Sequence, residues 1–65
     1  MTERMIKWFE YHHLPQHLQD VSIRFSELAN NLVVILEPGP ERTVALRKLL
    51  EAKDAAVRAH SFPGG

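Results

Sequence analysis

Residues 14–35, LPQHLQDVSIRFSELANNLVVI, decide the fold. Within them Leu14, Leu18, Val21, Phe25, Leu28, Leu32 and Ile35 recur at alternating spacings of four and three. That is a seam of period 3.5, the pattern of helices packed side by side in a bundle or coiled coil. Pro15 stands where a proline opens a helix, since its missing N–H is not needed in the first turn. A helix over about 15–36 is therefore expected. Ile23, Val33 and Val34 lie off the seam, a second apolar patch larger than a simple hairpin needs.

On the C-terminal side, Glu37-Pro38-Gly39-Pro40 reads as a tight reversal, with proline and glycine suited to the two central positions of a type II turn. Pro40 can open a further helix over about 40–59, with Glu41 favourably placed in its first turn. Ala45, Leu49, Ala52, Ala56 and Ala59 form one stripe of that helix, flanked by Leu46, Leu50 and Val57. Small residues on a face let backbones approach closely, which suits an antiparallel pairing with the preceding helix. Thr43, Arg47, Glu51, Asp54 and Arg58 make a polar stripe opposite, and residues 61–65 read as a flexible tail.

On the N-terminal side, Met5, Ile6, Trp8 and Phe9 indicate a short amphipathic helix over about 3–12, which Thr2 can cap. Pro15 disfavours helical angles at Leu14, so this helix ends before it. The expected fold is all-α: a short first helix, then an antiparallel helical hairpin that assembles into a helical oligomer, all one domain over 1–60. Assembly is expected because 65 residues rarely bury a sufficient core alone. The chain has no cysteine, so disulfides cannot compensate and the redox compartment is undecided.

Composition narrows function. A hydrophobic share of 45% argues against intrinsic disorder. The formal net charge is zero, which disfavours generic DNA or RNA binding. Charge is uneven, however, and the C-terminal segment carries Arg42, Arg47, Lys48, Lys53 and Arg58 against Glu41, Glu51 and Asp54. No leader or membrane span is visible, the longest apolar run being residues 32–36. The chain is expected to be cytoplasmic.

Residues 9–17, FEYHHLPQH, crowd aromatic and imidazole rings together. His13 and His17 are spaced for one helix face, but Pro15 interrupts that helix and no cysteine completes a zinc set. Ser22, Ser26 and Thr43 are available as nucleophiles, yet no motif ties them to a base, so no enzymatic activity and no cofactor are expected. A ligand platform is more physical. Tyr11, His12 and His13 could stack on a nucleobase, and Arg42, Arg47 and Lys48 supply charge near a helix N-terminus that favours phosphate. The alternative is that Tyr11 packs as a staple and the basic residues form a solvated face.

Two segments carry a resemblance. Tyr11-His12-His13-Leu14-Pro15, with Arg24 and Leu28-Ala29 following, and Gly39-Pro40-Glu41-Arg42-Thr43-Val44-Ala45-Leu46-Arg47-Lys48-Leu49, running on to Glu51-Ala52-Lys53 and Ala55-Ala56, resemble the helical hairpin domain shared by phage anti-CBASS and anti-Thoeris sponge proteins. The resemblance covers about residues 9–59. It implies a homohexamer that binds cyclic dinucleotides, such as 3′,3′-cyclic GMP–AMP, between subunits without cleaving them. It also implies separate pockets for cyclic trinucleotides. Carried onto this chain, Tyr11 with His12 or His13 would stack on a base, and Arg42, Thr43 and Arg47, with Arg24 as a further candidate, would hold phosphate. The β-rich domain of anti-Thoeris members has no counterpart here, which leans toward the compact, dinucleotide-binding type. The competing expectation is a helical oligomerisation or protein-interaction module without a nucleotide ligand.

Overall fold

A computed structural model describes residues 4–62 and 64. These residues form a 3₁₀ helix, Arg4–Phe9, and two α-helices, α1 (Gln16–Ile35) and α2 (Pro40–Ser61). The α-helices pack as a hairpin across a short link, and the 3₁₀ helix packs on both. The expected cap at Thr2 lies outside the described residues.

Pro15 and Pro40 punctuate the chain near their expected places. Pro40 is the first residue of α2, whereas Pro15 sits one position before α1 as its N-cap, with φ −54° and ψ 149°. The Pro15 carbonyl accepts from the amides of Leu18 and Gln19, so the helix starts without a side-chain cap. At the other end α2 runs two residues beyond the expected stop, taking Ser61 from the expected tail.

The N-terminal element differs from the expected helix over 3–12. It is a single short 3₁₀ piece that ends at Phe9. Phe9 is fully buried, so the chain is pinned there and must then turn back to reach the start of α1. Short, tight helical pieces are the usual form where only a few residues are held by tertiary contact.

The link also departs from expectation. Gly39 has φ 167° and ψ 173°, extended backbone rather than the positive φ a type II turn requires. A Cβ at Gly39 would meet nothing within 4 Å. Gly39→Ala is therefore expected to retain the fold and raise stability by about 0.4–1 kcal/mol, through the reduced entropy of the unfolded chain. Denaturant unfolding of the two chains at equal concentration checks this.

The core is small: Phe9, Ala29 and Leu46 are fully buried, with Met5, Ile6, Phe25, Leu32, Val33, Leu49 and Leu50 packed around them. The most buried line of α1 runs through Ser22 and Ala29, both at 0% exposure, rather than along the large-residue seam. Leu28 and Ile35 of that seam remain 46% and 71% exposed. On α2 the buried line runs through Arg42 and Leu46, and Ala52 and Ala59 of the alanine stripe are exposed. The small residues on the most buried line are thus Ser22 and Ala29 of α1, whereas Ala45 and Ala56 of the α2 stripe are half-buried. Of the surplus patch, Val33 joins the core, Ile23 is half-buried and Val34 is 83% exposed. Among the described residues no helix is long and apolar enough to cross a membrane.

Candidate ligand-binding surface

The segment between Phe9 and α1 is shaped by backbone and by one side chain. The Leu14 amide donates to the Tyr11 carbonyl at 3.0 Å, closing a turn over residues 11–14. Gln19, one turn into α1, donates through Nε2 to the carbonyls of Leu14 at 2.8 Å and His12 at 3.4 Å. The turn is thereby fixed to the helix that follows. On it the rings of Tyr11 and His12 lie 4.3 Å apart between centroids with 23° between planes, a stacked pair. Tyr11 is half-buried, while His12 and His13 are exposed. The Tyr11 ring is covered on one side by His12.

Arg42 has a structural task. It is 9% exposed, and its Nη1 donates to the carbonyls of Leu36 at 3.1 Å and Val33 at 3.4 Å. These groups end α1, where helix carbonyls lack intrahelical partners and a cation is favoured. The guanidinium expected to meet phosphate is thus turned inward to the end of the neighbouring helix. Thr43 is half-buried, and its hydroxyl lies 3.3 Å from the Gly39 carbonyl, to which it donates. Arg47 and Arg24 are exposed.

Tyr11, His12 and His13 stand just before α1, Arg42 and Thr43 at the start of α2, and Arg47 two turns into it. A 20-residue α1 separates these ends by about 30 Å. One chain therefore does not bring the ring group and the start of α2 together, and Arg24 lies midway along α1.

Two features fall outside the sequence-derived set. His60, near the end of α2, lies 6.1 Å from His17 between ring centroids, so His17 meets a histidine across the hairpin rather than His13. Among the described residues no group of three or more His, Cys, Asp or Glu could hold a metal ion. Beside that end, a cleft of about 250 Å³ is lined by Leu14, Ser22, Lys53, Asp54, Val57 and Arg58. The Ser22 hydroxyl is buried there with no hydrogen-bond partner among the described residues. Lys53 Nζ donates to the Trp8 carbonyl at 2.8 Å, tying the 3₁₀ helix to α2. Comparison with known proteins finds no matching family model, no matching curated protein and no matching solved structure.

Proposed function

We propose that this chain is a non-catalytic phage sponge that self-associates and sequesters cyclic oligonucleotide signals in the cytoplasm of an infected bacterium. Its ligands would be cyclic dinucleotides such as 3′,3′-cyclic GMP–AMP, with cyclic trinucleotides as a further class. The observation that carries the reading is the stacked Tyr11–His12 pair, held on a turn that Gln19 anchors. A flat, partly exposed ring pair suits a nucleobase, whose faces stack on aromatic side chains. The resemblance of the two hairpin segments to the sponge proteins supplies the ligand class and the hexamer.

The separation of ring and basic groups along α1 has a consequence for this reading. A ligand touching both must lie between chains, with Tyr11 and His12 of one copy near Arg47 of another. Arg42 Nη1 serves the α1 carbonyls, which weighs against its place in the phosphate set. The second reading, an oligomerisation module without ligand, is favoured by the exposed Leu28, Val34 and Ile35, which self-association alone would explain.

Titration calorimetry with 3′,3′-cyclic GMP–AMP separates the two. The sponge reading expects saturable binding and intact ligand recovered after heat denaturation. Tyr11→Ala is expected to weaken binding about 5- to 150-fold, the equivalent of ~1–3 kcal/mol for one base–aromatic stack, with the oligomer unchanged. Absence of binding to cyclic di- and trinucleotides alike would leave the interaction module, and altered ligand would mean catalysis.

A further inference from the structure

We propose that the cleft between Leu14, at the entry to α1, and Val57 of α2 is a binding site for a small aliphatic monocarboxylate, held by Arg58, Lys53 and the hydroxyl of Ser22. None of these residues belongs to the set proposed to meet a cyclic nucleotide, so this site stands or falls separately from that function.

The starting observation is Ser22. It is fully buried, and its Oγ has no hydrogen-bond partner among the described residues. A buried hydroxyl without a partner is a considerable cost to so small a domain. Alanine packs on the same line without that cost, as Ala29 does seven residues further on, also at 0% exposure. Packing therefore does not account for the oxygen at position 22. An orphaned buried polar atom calls for an explanation such as a partner that the site receives from outside.

The cleft is where that partner enters. Ser22 lines a cavity of about 250 Å³, smaller than the pockets that take drug-sized molecules, so its ligand has few atoms. The other polar side chains lining it are Lys53, Asp54 and Arg58. Lys53 Nζ donates to the Trp8 carbonyl at 2.8 Å and lies 3.8 Å from Asp54 Oδ1, which holds the ammonium in place with a third N–H to spare. Arg58 is exposed and makes no hydrogen bond or ion pair among the described residues, so its fork of donors is open.

Charge selects the ligand. Two cations against Asp54 leave one net positive charge, which a monoanion neutralises. A dianion such as hydrogen phosphate would bring its second charge beside the Asp54 carboxylate. The guanidinium fork of Arg58 matches the two oxygens of a carboxylate. Rotation about χ1, among its staggered positions, lets the Ser22 hydroxyl donate to one of them. Leu14 and Val57 form apolar walls, which favour an alkyl body over a hydroxylated one.

Titrating the isotope-labelled full chain with butyrate is expected to shift the backbone amide signals of Ser22, Val57 and Arg58 saturably, with a Kd of roughly 0.1–10 mM for a ligand of so few atoms. Butyramide, which has the same shape without the charge, should leave them in place. Arg58→Gln is expected to weaken butyrate binding about 10- to 150-fold, the range for charge-assisted hydrogen bonds. Ser22→Ala should weaken it about 2- to 10-fold and also raise the melting temperature of the unliganded chain by about 4–8 °C. Opposite signs from one substitution are the signature of an oxygen kept for a ligand. A Ser22→Ala chain that melts lower and binds butyrate unchanged would make the hydroxyl a packing group and overturn its role. Phosphate binding more tightly than butyrate would overturn the ligand class. No saturable shift with butyrate at about 50 mM, several times the weakest expected Kd, would overturn the site itself.

Discussion

Phe9→Ala is expected to remove most of the stability of the chain, about 3–5 kcal/mol. Phe9 is the largest fully buried side chain and joins Ala29 of α1 to Leu46 of α2. Truncating a buried phenylalanine loses its transfer free energy and leaves a cavity lined by all three elements. A domain of 65 residues has only about 3–10 kcal/mol in total, so the variant should be marginally folded at 25 °C. Denaturant unfolding at fixed chain concentration measures the loss, the concentration being held because self-association would add to apparent stability. A loss below 1 kcal/mol would mean that the 3₁₀ helix contributes little to the fold. Phe9→Leu, which fills most of the volume, should recover the greater part.

Arg42→Ala is expected to cost about 2–4 kcal/mol, lowering the melting temperature by roughly 8–30 °C at ~4–8 °C per kcal/mol for a domain of this size. Its Nη1 bonds to Val33 and Leu36 are partly buried, and hydrogen bonds from a charged donor contribute about 1.5–3 kcal/mol. Removing them strands carbonyls at the end of α1. Arg42→Lys should recover only part, because an ammonium lacks the planar fork that spans two carbonyls. If Arg42 instead met phosphate as a surface group, alanine would abolish nucleotide binding with stability almost intact. The pair of measurements therefore tells the two roles apart.

Arg42 also shows what was and was not legible in the sequence. Pro15 and Pro40 mark helix starts by chemistry that acts within a residue or two, and the structure keeps both to within one position. The partner of Arg42 lies in another helix, and nothing local names it. One signal was present: a cation in the first turn of α2 opposes the helix dipole there, which points to service elsewhere. The seam on α1 had a similar ambiguity. Its spacing identifies a helix and an apolar side, but not which edge is covered. The covered line was marked by Ser22 and Ala29, small residues seven apart that are both fully buried. Tyr11 and His12 were legible as rings and not as a stacked pair, because the turn that aligns them depends on Gln19 from the next element.

The contact between Lys53 Nζ and the Trp8 carbonyl bears on the order in which the molecule is built. The two α-helices meet through neighbouring stretches of chain, a local contact that forms early. The 3₁₀ helix has no full seat until both are side by side, because Phe9 clusters with Ala29 of α1 and Leu46 of α2. Its docking is thus expected to come last, and it carries the one tryptophan of the sequence. Indole emission is accordingly expected to follow docking of the 3₁₀ helix and far-ultraviolet dichroism the hairpin, so a lag between the two signals would time the final step.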